Sequence, residues 1–279
     1  MFFATPGQYH TARVIQSYAS KTFLMWYIED NVFPADEEHR LASALRDLNL
    51  SHERFSGSDL RTQLPVPDAQ TVLRGSCWLF QQLQAHTAWR ADLWGTETAF
   101  DYSNYALRYS KSLLNYPFAS VTFHELCWKR DEFFPDSASA VFIRPDTGLK
   151  SIDGQLVPYA GFDSWARKSQ LLQLRGAAKL IVASPRAIIE EYRCVIVDDQ
   201  LIASSKYRPD YSIACPQAIC DYVHHISNTI SPPSRAYAVD VAVTPDGPYI
   251  IEIGCVCCVA FYESDSMAIV SHLTKLTNA

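Results

Sequence analysis

Tyr237-Ala238-Val239-Asp240-Val241 and Tyr249-Ile250-Ile251-Glu252-Ile253, on either side of a turn at Pro245-Asp246-Gly247, decide how this 279-residue chain is read. Two short apolar segments about a tight turn predict a β-hairpin, which sets Asp240 and Glu252 on facing strands. Two hard oxygen ligands so placed suit a magnesium ion that keeps phosphate oxygens and waters as its other ligands. Upstream, Val141-Phe142-Ile143-Arg144-Pro145-Asp146-Thr147-Gly148-Leu149-Lys150 is an apolar strand ending in a cation, followed by a glycine-containing turn and a second cation. Acids for the metal and cations for phosphates together imply chemistry on ATP.

Outward from the hairpin the pattern is α/β. In Glu191-Tyr192-Arg193-Cys194-Val195-Ile196-Val197 the alternation puts Glu191, Arg193 and Val195 on one face and Tyr192, Cys194 and Ile196 on the other. Strands are expected at 140–144, 178–183, 190–198, 200–206, 236–243 and 248–254, with helices near 163–173, 215–229 and 264–277. Nearer the amino terminus, Thr22-Phe23-Leu24-Met25-Trp26-Tyr27-Ile28 predicts a buried strand. Leu41, Ala44, Leu45 and Leu48 recur at helical spacing within 36–48. Further strands at 51–55 and 71–73 and a helix over 76–86 complete an alternation that predicts a small parallel sheet. Residues 101–130 read as mainly helical. The polar stretch Asp136-Ser137-Ala138-Ser139 marks the expected boundary, giving an extension 1–21, an α/β unit 22–135 and a second unit 136–279.

The order Arg144 and Lys150, then Glu191-Tyr192-Arg193, then Asp240 and Glu252 resembles the carboxyl-terminal half of ATP-grasp enzymes. It is similar in particular to the phage and bacterial clade marked by an arginine and a lysine before the central sheet. Val72-Leu73-Arg74-Gly75-Ser76, Phe100-Asp101-Tyr102 and Leu113-Leu114-Asn115 look like the segments that precede the ATP-binding half in that clade. The resemblance implies an ATP-grasp fold with a small amino-terminal parallel α/β domain, and covers roughly residues 22–270. It also implies roles. Arg144 and Lys150 would neutralise phosphate charge, and Arg193 would contact the γ-phosphate and the acyl phosphate made from it. Asp240 and Glu252 would hold magnesium, and Val182-Ala183-Ser184 would form a hinge that receives the adenine edge. Glu191 is a further candidate beside the nucleotide, with a cross-strand ion pair to Lys206 or Arg208 as its plain structural alternative.

Two departures from the clade stand out. Where its pattern has a glutamate, any residue and an asparagine, this chain has Glu252-Ile253-Gly254, so the third position offers no side-chain ligand. Ile152 stands where the phosphate-side loop is expected to carry an aromatic residue. Cys255, Cys257 and Cys258 follow Gly254 at a spacing that suggests a metal, but no second pair lies at a suitable distance, and small buried side chains near a ligand are the expected reading. Further on, Tyr262 and Asp265 fall near the acceptor side by analogy, while Ser264 or Asp265 is sufficient as the N-cap of the last helix.

Composition excludes several other classes. Twenty-four Lys and Arg against 30 Asp and Glu give a net charge of −6, which provides no electrostatic footprint for nucleic acid. No apolar run approaches the roughly 20 residues a bilayer span needs. The start of the chain lacks a basic region followed by an apolar stretch, and its eight cysteines lack the spacing of a secreted scaffold, so a cytoplasmic setting is expected. There is no Gly-Lys-Ser phosphate loop and no Gly-x-Ser-x-Gly elbow. The resulting expectation is an ATP-dependent carboxylate–amine ligase that acts on small-molecule or peptide substrates. A nucleotide-binding protein without catalysis, and a kinase using the same site, are its alternatives.

Overall fold

The computed structural model describes residues 24–57, 71–84, 95, 97–148, 152–171 and 174–277. The expected extension 1–21 and the candidate Lys150 therefore lie outside the described residues. Strand β1 (Met25–Glu29) runs parallel to β2 (Ser51–Phe55) on one side and to β3 (Thr71–Arg74) on the other, in the order β2-β1-β3. Between β1 and β2 runs helix α1 (Ala35–Asp47), whose Leu41, Ala44 and Leu45 form the predicted apolar stripe and are buried. Asp36, Glu37 and Glu38 fill its first turn, where carboxylates oppose the positive end of the helix dipole.

Helices α2 (Cys77–Gln84) and α3 (Tyr102–Tyr109) lead out of this layer. Then comes a strand where helix was expected: β4 (Phe118–Thr122) pairs antiparallel with β7 (Lys179–Ala183). Its pairing partner lies about sixty residues downstream, so the local pattern does not announce it, although Val121 and Thr122 are good strand formers. Thr122 closes the strand and begins α4 (Phe123–Trp128) through a capping box, its hydroxyl accepting from Glu125 N while the Glu125 carboxylate accepts from Thr122 N. After α5 (Arg130–Phe133) come β5 (Ala140–Pro145), β6 (Gln155–Pro158) and α6 (Phe162–Leu171). The strand β6 was also unforeseen, being a four-residue edge strand with mostly exposed side chains. These strands form one antiparallel sheet in the order β4-β7-β5-β6. Residues 136–139 lie between α5 and β5, and β4, which precedes them, belongs to the same sheet as β5.

A second antiparallel sheet follows, in the order β11-β10-β8-β9, from β8 (Glu190–Val197), β9 (Gln200–Arg208), β10 (Ala236–Thr244) and β11 (Gly247–Cys255). Helix α7 (Gln217–Thr229) connects β9 to β10, and α8 (Ser266–Thr277) ends the described chain. The predicted hairpin is present. Pro245 and Asp246 form its turn, and Gly247 takes φ +122°, a conformation that side chains with a Cβ rarely adopt.

The alternation in β8 sorts its side chains as read. Tyr192, Cys194 and Ile196 join a cluster with Tyr105 and Tyr109 of α3, Val223 of α7 and Val239 and Val241 of β10. On the opposite face, Val195 and Val197 pack with Trp26, Leu45, Phe261 and Ile269, tying the parallel layer to the second sheet through α1 and α8. A third cluster, with Phe123, Phe134, Ile143 and Trp165, lies under the first antiparallel sheet. All eight cysteines are free thiols. No helix among the described residues is long and apolar enough to cross a membrane.

Candidate active site

Arg193, Asp240 and Glu252 stand in a row across three neighbouring strands, since Asp240 is in register with Arg193 of β8 and with Glu252 of β11. Residues opposite one another in a sheet share a face, so the three polar side chains project together. The Arg193 guanidinium donates to both Asp240 oxygens, Nε to Oδ1 and Nη2 to Oδ2, each at 2.6 Å. Its Nη1 donates to the Ala260 carbonyl at 2.8 Å. From the other sheet, Arg144 at the end of β5 reaches across to Glu252, Nη2 to Oε2 at 2.8 Å, and to the Ile251 carbonyl at 3.2 Å. The two antiparallel sheets are thus joined by an arginine on one and a carboxylate on the other.

Burial sharpens these pairs. Arg144, Arg193 and Asp240 are all buried. Burial by itself lowers the pKa of the Arg193 guanidinium, but the Asp240 carboxylate more than offsets this and raises it above the usual arginine range. Arg144 shows the same balance, with desolvation opposed by Glu252. Both cations are permanent, and the three hydrogen bonds each makes leave two of the five guanidinium N–H groups for a ligand. Tyr207, whose pKa is raised by burial and then by the Asp240 charge, stays a phenol and donates to Asp240 Oδ2 at 3.3 Å.

Two cavities meet at this row. One, of about 500 Å³, opens between the two four-stranded sheets and is lined by Asn115, Arg144, Arg186, Glu191, Tyr207 and Asp240 among others. The second, of about 350 Å³, lies between the amino-terminal layer and the residues after β11. Arg144, Arg193, Glu252 and Tyr262 line both. In the first, the Asn115 side-chain nitrogen is buried without a hydrogen-bond partner. A buried amide donor at a cavity wall is a group that a ligand acceptor satisfies.

The other expected residues fall in different places. Val182 and Ala183 stand in ladders with both β4 and β5, so their main-chain groups are taken up by the sheet, and Ser184 follows exposed. The cavity wall is formed by Arg186 and Ile188, farther along the same connector between the sheets. Glu191 lines the cavity and also pairs with Arg208 at 3.3 Å, while Lys206 pairs instead with Glu190 and Asp210. Asp265 is the N-cap of α8, its Oδ1 accepting from Ala268 N at 3.0 Å.

Tyr262 stands at the junction of the two cavities. Its ring stacks on Tyr207, centroids 4.7 Å apart, and the Arg193 guanidinium lies 4.9 Å from its centroid. Its backbone, at φ +51°, is held by Glu37 of α1, which accepts from Tyr262 N at 3.0 Å. Glu37 is in turn bound to Arg74 at 2.7 Å, both wholly buried, with Arg74 between the rings of Phe33 and Phe261. Burial draws the Arg74 pKa down to about 10, so it remains charged at neutral pH. Sequence reasoning did not identify Glu37 or Tyr207. Neither sits in a recognisable spacing, and only the packing of α1 and β9 brings them to the site.

Asp240 and Glu252 fit a magnesium ion in donor type and placement, as two facing carboxylates at a cavity wall with room for other ligands. Among the described residues no group of three or more His, Cys, Asp or Glu forms a metal cluster. Gly254 lines the second cavity. Its φ lies outside the left-handed region, but a Cβ there would come 2.8 Å from Val259 Cγ1.

Comparison with curated proteins finds no match. Solved structures share the fold. D-cycloserine synthetase DcsG is 16% identical with a TM-score of 0.56, over 91% of this chain and 99% of that one. A RimK domain ATP-grasp protein from Sphaerobacter thermophilus is 12% identical with a TM-score of 0.60, over 91% and 97%. The ATP-grasp ligase PsnB complexed with a minimal precursor is 12% identical with a TM-score of 0.54, over 92% and 99%. Residues 122–271, more than half of the chain, match the model of the family described as ATP-grasp domain, R(2)K clade family 2. The protein, with its nucleotide-sized cavity between two antiparallel sheets, is a member of that ATP-grasp family.

Proposed function

We propose that the protein is an ATP-dependent ligase that joins a carboxylate to an amine through an acyl phosphate. The observation that carries this reading is the meeting of the two cavities at two arginine–carboxylate pairs, Arg193–Asp240 and Arg144–Glu252. ATP occupies the larger cavity, its base toward Arg186 and Ile188 of the connector between β7 and β8 and its phosphates toward Asn115 and Arg144, with Lys150 the second cation that the sequence offers for them. Asp240 and Glu252 hold magnesium, which when bound adds positive charge against the phosphate oxygens.

A carboxylate oxygen of the substrate in the smaller cavity attacks the γ-phosphorus, and the bond to ADP breaks. The amine nitrogen then attacks the acyl carbon, phosphate leaves, and the amine gives up a proton. Arg193 and Arg144 line the junction where charge builds up, and an arginine fork contacts two oxygens at once. Glu191, beside Arg193, orients the wall of the nucleotide cavity. The chain contributes mainly position and fixed charge.

Gly254 favours a second reading, in which the protein binds nucleotide without turning it over. Mass spectrometry of reactions with ATP, magnesium, a carboxylate and an amine decides among the readings. The ligase gives a product of the summed substrate masses less one water, together with ADP. A kinase gives a phosphorylated substrate, and a nucleotide binder gives no ADP in any mixture.

A further inference from the structure

The smaller cavity has an uneven wall. Among the described residues its charged lining is Arg144, Arg193 and Glu252, and all three belong to the boundary shared with the larger cavity. Away from that boundary the described wall carries no charge and is mostly apolar, with Phe33, Phe80, Phe100, Ile253 and Val259 beside the neutral Ser76 and Thr147, and with Phe80 and Phe100 each 5% exposed. Glu252 is the one acid among the described lining residues, and Arg144 already holds it. At about 350 Å³ the space is at the lower end of the range of about 300–1,000 Å³ for small-molecule sites. The absence of a side chain at Gly254 keeps this wall open where a Cβ would press on Val259.

We propose that the smaller cavity selects the carboxylate substrate as an acid on an uncharged apolar body about one amino-acid residue in size, its α-nitrogen acylated or absent. This rests on the ligase reading and adds the substrate class to it. The two arginines receive the carboxylate beside the γ-phosphate. An apolar body gains by leaving water, whereas a second carboxylate or a free ammonium finds no counter-charge among the described residues of that wall and loses its hydration.

Isothermal calorimetry on the protein with ADP and magnesium tests the class directly. N-acetylphenylalanine and 4-phenylbutyrate are expected to bind at least tenfold more tightly than N-acetylaspartate and free phenylalanine. Tighter binding of N-acetylphenylalanine than of 4-phenylbutyrate assigns the acid to a peptide-like carboxyl terminus, and the reverse assigns it to a free acid. Equal affinities across the panel, a preference for the doubly charged or zwitterionic ligands, or no binding at all overturns the proposal. Val259→Lys, on a half-buried wall position, is expected to weaken N-acetylphenylalanine tenfold and to strengthen N-acetylaspartate. Hydroxylamine with ATP then separates this from the ligase reading. An apolar acid that binds and yields a hydroxamate supports both, and one that binds without ADP or hydroxamate removes the ligase reading while the ligand class stands.

Discussion

Asp240 and Glu252 face one another across two strands and carry the same charge, but their surroundings differ. The Asp240 side chain is 5% exposed and bound through both oxygens to an equally buried arginine, whereas the Glu252 side chain keeps 18% of its surface. Removing one member of a buried pair strands the other charge, which costs about 3–5 kcal/mol. Asp240→Asn is therefore expected to lower unfolding free energy in urea by about that amount, because Arg193 loses its counter-charge. Glu252→Gln is expected to cost about 1–2 kcal/mol, since water partly screens the site. Neither variant should release ADP in the presence of both substrates. Equal destabilisation by the two would contradict the difference in burial. The same contrast explains why sequence could name both acids but not rank them: spacing sets the strand register, and burial depends on what covers the sheet.

Among the elements, those that carry their own pattern matched expectation to within a residue or two at most ends. Helix α1 has its stripe at Leu41, Ala44 and Leu45, and β8, β10 and β11 have long apolar runs. The elements missed, β4 and β6, are short and sit at the edges of their sheet, where long-range hydrogen bonding rather than alternation defines a strand. Capping was legible at the last helix. Asp265 accepts from Ala268 N, so Asp265→Ala is expected to destabilise the protein by about 1 kcal/mol without changing ATP affinity. Thermal unfolding beside nucleotide titration checks this, and a loss of ATP binding would instead place Asp265 in the site.

At the scale of the whole molecule, the amino-terminal layer packs on the second antiparallel sheet through an apolar cluster, and a buried ion pair within that layer reaches the segment after β11. Arg74 of β3 bonds Glu37 of α1 and the Val256 carbonyl, and Glu37 holds the backbone of Tyr262 at the junction of the cavities. Glu37→Gln keeps the shape but leaves the Arg74 charge buried without its partner, with an expected loss of about 3 kcal/mol in urea unfolding. Because Tyr262 stacks beside Arg193, turnover should fall more than ATP affinity does. A variant with wild-type stability would show that Arg74 finds another partner.

By itself the sequence determined the α/β class, the hairpin with Asp240 and Glu252, the alternating faces of β8 and the cationic end of β5. Each of these depends on the spacing of residues within one strand or turn, where backbone geometry assigns side chains to faces. Only the tertiary structure decided that Arg193 and Arg144 hold the two acids, that residues 186–188 rather than 182–184 line the larger cavity, and that Glu37, Tyr207 and Asn115 reach the site. Those arrangements join residues from separate sheets and layers. Their partners are chosen by packing and desolvation across the molecule, which leave no periodic trace along the chain.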